Sequence, residues 1–326
     1  MARFVPGRWT GIILAKDSSS RQPILVTGAH RSGTTWVGKV LAADPQVAYI
    51  SEPLNVWHRP GVLRIPIQSW YSYICPDNES EYYQALIETL SFQYHLGSEI
   101  LSLRSIKDIL RMGRDLSIFT RGRYFHQRPL LKDPFAVFSA QWFAQRLGCQ
   151  VVFVVRHPAA FVSSLIRLEW PFDLRDLINQ PLLMRDWLEP YRDEIERMVV
   201  EPRDVITQGS LLWKMIYQVV FRLKEQSSDF HLIRHEDLSI DPVTRYQHLY
   251  AALSLNYSPK VEETILTLSN PGNPKEVSTK AAHSVHLDSW ANLKNWKKRM
   301  SREDIARIRQ ISEPVASLYY SEQDWE

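Results

Sequence analysis

Cysteine and unbalanced charge are both scarce in this sequence, and each scarcity excludes a class of protein. The 326 residues include two cysteines, Cys75 and Cys149, which match neither a metal-binding spacing nor a redox pair. We expect them to be buried or free thiols, which is compatible with a reducing compartment. The 39 basic and 36 acidic residues leave a net charge of +3, too little to indicate nucleic-acid binding. Any anion-binding site must therefore be local.

A long apolar run is also missing from the N-terminus. Residues 1–22 carry several charges and resemble neither a signal peptide nor a membrane anchor. We therefore expect a cytoplasmic protein and favour a bacterial or cytosolic enzyme, unless the chain is a trimmed piece of a membrane-anchored one. Because no repeat or low-complexity linker divides the sequence, residues 1–22 are predicted to be an extension and residues 23–326 a single domain.

Short apolar runs alternate with helical stretches along the chain. The predicted strands are 23–27, 47–50, 129–131, 150–155 and 230–233, and the predicted helices are 34–43, 136–147, 159–168, 245–253, 259–268 and 302–318. The alternation predicts a three-layer, P-loop-like α/β fold with a central parallel sheet and helical insertions.

Two segments do not follow this alternation. Residues 56–128 have an aromatic start and a basic, aromatic end at 121–128, and form an insertion of the kind that often contacts substrate. The alternative for this insertion is a helical cover with ordinary surface arginines. Residues 269–286 are rich in Ser, Asn, Pro and Lys, which indicates a polar loop able to close over a ligand.

Residues 28–35 keep the glycine spacing of a phosphate-binding P-loop between a strand and a helix. Thr34 stands where a nucleotide kinase or NTPase has the lysine that reaches the β/γ-phosphates, although Thr35 keeps the hydroxyl that follows it. The nearest cation is Arg31, whose planar guanidinium suits bidentate recognition of oxyanions. Since the loop amides are directed at an anion, the loop predicts binding of a phosphate that is not ATP's.

The predicted strand 150–155 ends in Arg156, where a P-loop NTPase needs an acidic residue to hold Mg²⁺. Ser164 follows eight residues later, close enough for its hydroxyl and the guanidinium to share one phosphate. Because the carboxyl ends of parallel strands meet in one crevice, this pair predicts a second anion site beside the first. The alternative is a surface arginine and an unrelated helix serine.

Together these motifs resemble those of the PAPS-dependent sulfotransferases. The resemblance implies that the loop binds the 5′-phosphosulfate through Arg31, Ser32, Gly33, Thr34, Thr35 and the aromatic Trp36. It implies that Arg156 and Ser164 bind the 3′-phosphate. The likeness extends to Leu131-Lys132-Asp133-Pro134 and to Arg234-His235-Glu236-Asp237-Leu238, and it spans residues 23–255. It also implies PAPS as cosubstrate, no metal, and a hydroxyl-bearing acceptor.

The late polar loop supplies a further candidate for cofactor binding. The family closes this region over the adenosine bisphosphate, which makes Lys280 a cofactor-binding candidate, with Ser278 and His283 beside it. The usual Arg-Lys-Gly segment of cytosolic members is absent here. His283 and His286 lack further ligands at a suitable spacing, so no metal site is predicted. His30 is interpreted as a packed or capping residue, and Glu236 and Asp237 as braces of a helix start.

The acceptor hydroxyl needs a general base, and Glu52 follows the predicted strand 47–50 directly. In this respect the chain resembles the tyrosylprotein and many carbohydrate sulfotransferases, in which a glutamate in this place takes the acceptor proton. Cytosolic phenol and steroid enzymes use a histidine in a Lys-Thr-His segment, which here is Lys132-Asp133-Pro134. Glu52 is therefore the predicted base, with Arg31 and Lys132 stabilising charge. The alternative is a structural ion pair of Glu52 with Arg31 or Lys132.

The sequence thus predicts sulfuryl transfer from PAPS to a hydroxyl acceptor. Trp57 and the aromatic residues up to Tyr73 offer apolar faces for sugar stacking, which favours a carbohydrate or glycolipid. In that interpretation, 56–128 is the acceptor-binding insertion and 269–286 the cofactor-covering loop. The alternatives are a Mg-ATP-dependent P-loop kinase acting on a small molecule and an inactive nucleotide-binding protein.

Overall fold

A five-stranded parallel sheet forms the centre of the protein. The computed structural model describes residues 22–200, 204–227, 229–276 and 285–326. The strands are β1 Ile24–Gly28, β2 Val47–Ser51, β3 Arg128–Lys132, β4 Gln150–Val155 and β5 Phe230–Arg234. They lie in the order β2-β3-β1-β4-β5, and every neighbouring pair is parallel. The predicted α/β fold is confirmed, and each predicted strand lies within one residue of an observed one.

Helices cover both faces of this sheet. They are α1 Thr34–Leu41, α2 Glu79–Leu90, α3 Leu96–Ser102, α4 Ile106–Tyr124, α5 Ala140–Leu147, α6 Pro158–Arg167, α7 Arg175–Ile178, α8 Pro181–Leu183, α9 Arg192–Val200, α10 Val205–Gln226, α11 His235–Ile240, α12 Pro242–Ala252, α13 Pro259–Ser269, α14 Ser289–Asn292, α15 Asn295–Arg299, α16 Arg302–Ser312 and α17 Glu322–Trp325. No helix within the described ranges is long and apolar enough to cross a membrane.

The two faces of the sheet bury separate apolar clusters. In β1, Leu25 packs into one cluster, whereas Ile24 and Val26 pack into the other. Strand β4 alternates in the same way, with Phe153 on the side of Leu25 and Val152 on the side of Ile24. A strand covered on both faces requires a continuous apolar sequence, which is why these runs were readable as strands. The three layers are therefore helices, sheet and helices.

Several helix boundaries differ from the prediction for local reasons. The predicted helix 136–147 is a 3₁₀ helix, Pro134–Ser139, followed by α5, and the Asp133 carboxylate caps the 3₁₀ helix by accepting from Phe135 N at 3.0 Å. The predicted helix 302–318 ends at Ser312, because Pro314 forces Glu313 into an extended conformation. A short 3₁₀ helix, Ala316–Leu318, follows.

The longest helix, α10, was not predicted. The sequence patterns predict no element within residues 169–229, where α10 lies. Its apolar residues occupy most sides of the helix, including the consecutive Leu211, Leu212 and Trp213, all fully buried. Its less buried residues Lys214, Gln218 and Arg222 recur every four residues along one side, so the sequence does carry the period of an amphipathic helix. The insertion 56–128, in contrast, contains α2, α3 and α4.

Both cysteines lie in the interior, as expected. Cys75 and Cys149 are buried free thiols. Burial raises the pKa of both, so both are neutral at physiological pH. We assign neither thiol a role in catalysis.

Candidate active site

The P-loop connects β1 to α1 through two glycines that no other residue can replace without strain. Gly28 has φ 148°, and a Cβ there would lie 2.4 Å from the carbonyl oxygen of Val154. Gly33 has φ 101°, and a Cβ there would lie 2.5 Å from Nδ1 of His235. Gly33 is also the N-cap of α1, and no side chain caps the helix. The first amides of α1 are therefore directed at the loop without a side-chain acceptor, an arrangement that favours an anion.

Arg31 and Arg156 converge on this loop. Arg31 adopts a left-handed conformation with φ 67°, and its Nε donates to Ser164 Oγ at 3.3 Å. Nη1 of Arg156 donates to the carbonyl oxygen of Arg31 at 3.0 Å, whereas Nε of Arg156 is buried without a hydrogen-bond partner among the described residues. The structure thus brings together the three side chains predicted to form adjoining anion sites.

Two further arginines, Arg167 and Arg299, join this cluster. Burial, followed by repulsion from Arg156 and Arg167, lowers the pKa of Arg31 to about 10. Arg299 donates from Nη1 to Ser163 Oγ at 3.3 Å. An arginine cluster that depresses its own pKa values has a local excess of positive charge, which an anionic ligand would neutralise.

Glu276 is the carboxylate that meets the two added arginines. It lies 2.6 Å from Arg299 and 3.7 Å from Arg167. Sequence reasoning missed these three residues. Arg167 was within reach, because it lies one helical turn after Ser164 on α6. Arg299 and Glu276 were not, because only the tertiary fold places α15 and the end of the α13 loop beside α6.

Glu52 directly follows the last residue of β2, and its strained backbone directs its amide towards β3. It has φ 51°, and its amide extends the β2–β3 ladder by donating to Lys132 O at 2.8 Å. The Lys132 ammonium donates to Glu52 Oε1, and Asn55 Nδ2 donates to Oε2 at 2.7 Å. The ion pair considered as an alternative role for Glu52 is therefore formed. The Glu52 side chain keeps 19% of its surface exposed, whereas the Lys132 side chain keeps 2%.

Lys132 and Asp133 hold Glu52 in position, Lys132 through the ion pair and Asp133 through the turn that follows Glu52. Burial lowers the pKa of Lys132, but the nearby Tyr49 and Glu52 more than offset this, so the net shift is upward and Lys132 stays an ammonium. Asp133 accepts from the Leu54 amide at 2.5 Å and thereby fixes the turn that carries Glu52. Burial, then repulsion from Glu52, raises the pKa of Asp133 to about 7.

A sulfotransferase family model matches residues 23–259, which is most of the chain. The chain belongs to the sulfotransferase family. Enzymes of this family transfer sulfuryl groups, in general from PAPS. No curated protein matches the sequence of this sulfotransferase.

Solved sulfotransferases resemble the chain along nearly its whole length. The sulfotransferase domain of the curacin biosynthetic pathway is 15% identical and covers 92% of this chain and 98% of its own, with a TM-score of 0.47. The sulfotransferase domain of the olefin synthase of Synechococcus PCC 7002 is 16% identical, with coverages of 94% and 97% and a TM-score of 0.43. A mouse sulfotransferase complexed with PAP is 11% identical, with coverages of 93% and 86% and a TM-score of 0.44.

The other predicted site residues of this sulfotransferase lie mostly on the loop and on α1. Ser32 and Thr34 are buried and Thr35 is half-buried. Trp36 is 7% exposed and packs edge-to-face on His235, with ring centroids 5.5 Å apart. Lys280, Ser278 and His283, like most of the predicted extension 1–22, fall outside the described residues. Among the described residues, no group of three or more His, Cys, Asp or Glu is arranged to hold a metal.

His30 is a packed residue, as interpreted from the sequence. The Tyr71 hydroxyl lies 2.6 Å from its Nδ1 and accepts from its amide at 3.1 Å. Burial, and then the Arg31 charge, lowers the pKa of His30 to about 3, so the imidazole is neutral. Glu236 is a brace, because its carboxylate accepts from the His157 amide at 2.9 Å and from the Tyr320 hydroxyl at 3.0 Å.

An aromatic cavity of about 110 Å³ lies beside His30. Its walls include Trp70, Phe135, Trp170, Phe172, Asp173 and Asp176. Trp57, which is 78% exposed, packs edge-to-face on Trp70 at 5.1 Å. The prediction that Tyr71 and Tyr73 offer stacking faces is wrong, because both are buried and their hydroxyls bond within the protein, to His30 and to Asp186.

Arg128, the last residue of the stretch 121–128, has a structural position. This arginine begins β3, at the edge of the sheet opposite to the loop. Its guanidinium donates to the carbonyl oxygens of Gln22 and Leu253 and to the Gln150 side chain. It therefore ties strand starts together, and the preceding residues up to Tyr124 belong to α4.

Proposed function

We propose that this sulfotransferase transfers the sulfuryl group of PAPS to an acceptor hydroxyl, with Glu52 as the general base. The observation that carries the proposal is the convergence of Arg31, Arg156 and Arg167, which repel one another, beside the uncapped start of α1. That cluster and the loop amides suit a ligand with anionic groups at two separate positions, as adenosine 3′-phosphate 5′-phosphosulfate has. Ser164, within 3.3 Å of Arg31, fits the boundary between the two positions.

In the proposed reaction the acceptor oxygen attacks sulfur in line with the departing phosphate oxygen. The new O–S bond forms as the bond between sulfur and the 5′-phosphate oxygen breaks, and the electron pair stays on that oxygen. The acceptor proton passes to Glu52. Arg31 and the loop amides stabilise the charge that develops on the departing phosphate.

Lys132 has a double role in this proposal. Before transfer, its ammonium pairs with Glu52 and keeps the carboxylate ionised, the form that accepts a proton. Once Glu52 takes the proton, Lys132 loses its counter-ion and its charge becomes available to the sulfuryl group or the departing phosphate. The ion pair and the catalytic role of Glu52 are thus compatible.

The aromatic cavity supports a carbohydrate or the sugar of a glycolipid as acceptor. Trp70 and Trp170 present indole rings on its walls, and sugars stack on such faces. Asp173 and Asp176 add carboxylates that accept hydrogen bonds from sugar hydroxyls. Since the cavity adjoins His30, which precedes Arg31, a sugar bound there lies next to the proposed transfer site.

Calorimetric titration tests the cofactor. We expect adenosine 3′,5′-bisphosphate to bind without divalent metal and more tightly than ATP with Mg²⁺. Tighter binding of Mg-ATP would favour the P-loop kinase and overturn the proposal. Transfer of labelled sulfate from PAPS into a cell extract, followed by identification of the product, tests the acceptor. Binding of the bisphosphate without any transfer would favour an inactive nucleotide-binding protein.

A further inference from the structure

Helices α3 and α4 present an apolar surface that no other part of the described chain covers. Six large apolar side chains within residues 96–110 are exposed: Leu96, Ile100, Leu101, Ile106, Ile109 and Leu110. Leu101 is 90% exposed and Ile106 is 78% exposed. We name this surface, residues 96–125, the α3–α4 face. Clustered exposure of this kind marks an interaction site, whereas single exposed apolar residues are normal.

The arrangement on α4 is one-sided. The buried residues of α4 are Asp115, Phe119 and Gly122. At 100° per residue, Ile106, Ile109 and Leu110 fall on the opposite side of the helix. The exposed stripe therefore points away from the protein body and is not a poorly packed piece of its core.

The same face is strongly basic. It contains six basic residues against three acidic ones, an excess as large as the net charge of the whole chain. All six basic residues are exposed: Arg104, Lys107, Arg111, Arg114, Arg121 and Arg123. Arg104, Lys107, Arg121 and Arg123 form no ion pair with any described residue, although Arg111 and Arg114 contact Asp108 and Asp115.

The three acidic residues of the face are withdrawn from its surface. Arg59, from the segment after Glu52, donates from Nε to Glu99 at 2.6 Å and from Nη1 to Asp108 at 2.8 Å. The Gly61 amide donates to the other oxygen of Glu99 at 2.8 Å. Glu99 is fully buried and Asp115 is 7% exposed. An approaching surface therefore meets aliphatic side chains and positive charge with little negative charge between them.

We infer that the α3–α4 face docks on an anionic lipid bilayer. Aliphatic side chains enter the boundary between headgroups and acyl chains, and arginines beside them contact lipid phosphates, which is how basic amphipathic helices bind membrane surfaces. A protein partner would need both an apolar surface and negative charge in matching positions, whereas an anionic membrane offers acyl chains and lipid phosphates side by side. This inference is independent of the transfer reaction.

Flotation with phospholipid vesicles tests the inference. We expect the protein to float with vesicles of equal parts phosphatidylcholine and phosphatidylglycerol, not with phosphatidylcholine alone, and less at high salt. The double variant Leu101→Ser/Ile106→Ser should weaken partitioning roughly ten-fold. Arg104→Glu/Lys107→Glu should weaken it by at least as much.

Matched controls use exposed residues on other helices. Ile240→Ser/Leu266→Ser removes two apolar side chains that are 56% and 51% exposed, and Lys260→Glu/Arg302→Glu reverses two exposed charges. Both controls should float like the parent protein. Absence of flotation by the parent, equal flotation with uncharged vesicles, or equal losses in the controls would overturn the inference. So would self-association in solution that Leu101→Ser/Ile106→Ser abolishes, because the face would then join two copies of the chain.

Discussion

The two edges of the sheet each hold an arginine, and the two arginines differ in how far their donors are satisfied. Arg128, at the edge where strands begin, has its donors taken up by two carbonyl oxygens and the Gln150 amide. Arg156, at the edge where strands end, donates to the Arg31 carbonyl and leaves Nε without a partner among the described residues. Burial lowers the pKa of both. Arg128 therefore has its donors satisfied within the protein, whereas Arg156 has a donor that a ligand could engage.

The glycines of the two edges also differ, and three histidines lie at the loop edge. Gly33, at the loop edge, is tightly enclosed by His235, whereas Gly148, which precedes β4 at the other edge, has open space around it. His30, His157 and His235 closely follow β1, β4 and β5 at the loop edge. Burial lowers the pKa of each to about 3. The loop edge therefore holds strain, unpaired donors and neutral imidazoles, which is typical of a functional site.

The largest effect at the loop edge should come from Glu52→Gln. We expect turnover with PAPS to fall roughly 10²–10⁴-fold, because the amide cannot take the acceptor proton, with affinity for adenosine 3′,5′-bisphosphate nearly unchanged. Asp237→Asn, which alters a carboxylate at the same edge to which no chemistry is assigned, is the control and should keep its turnover. Equal loss of bisphosphate affinity and turnover in Glu52→Gln would make Glu52 a structural partner of Lys132.

A paired substitution addresses the two arginines directly. Arg156→Ala should weaken bisphosphate binding roughly 10- to 100-fold in calorimetry, because charged hydrogen bonds to phosphate are lost. Arg128→Ala should leave that affinity unchanged and lower the free energy of unfolding by about 2–3 kcal/mol, because buried carbonyl oxygens lose their donor. If Arg128→Ala weakened binding as much as Arg156→Ala, the two edges would not differ in function.

The glycines offer a smaller contrast. Gly148→Ala should cost about 1 kcal/mol in the free energy of unfolding, since a left-handed conformation disfavours alanine, with no effect on bisphosphate binding. Gly33→Ala should cost more, because its Cβ also meets His235, and should weaken binding as the loop shifts. Denaturant unfolding and calorimetry on both variants measure the difference; unchanged binding in Gly33→Ala would contradict the proposed role of the loop.

The last contrast concerns the slope of stability against pH. The unfolded histidines titrate near 6.5 and the folded ones near 3, so between these values only the unfolded state binds the proton and stability falls as the pH falls. Each histidine contributes about 1.4 kcal/mol per pH unit. Denaturant unfolding between about pH 7 and pH 5 should show this slope reduced in His157→Gln and unchanged in the exposed control His248→Gln. A slope unaffected by His157→Gln would contradict the buried neutral state.

Sequence patterns predicted the structure correctly where a segment is uniformly buried or its contacts are local. The run Gln150–Val155 was readable because a strand covered on both faces is apolar throughout, and the glycine spacing of 28–33 because local backbone conformation demands it. Tyr71 was misjudged because packing against distant elements buries it, and residue type alone does not report that packing.

The sequence alone determined three things: the strands of the sheet, the loop between β1 and α1, and the family. Each depends on a property of a short segment, namely strand burial, glycine conformation, and the spacing of Arg156 and Ser164. Only the tertiary structure decided which charges are neutralised. It placed Arg299 and Glu276 beside α6, paired Glu52 with Lys132 and drew Glu99 to Arg59. Charge pairing depends on distances between segments far apart in the chain, and those distances exist only once the apolar core has assembled.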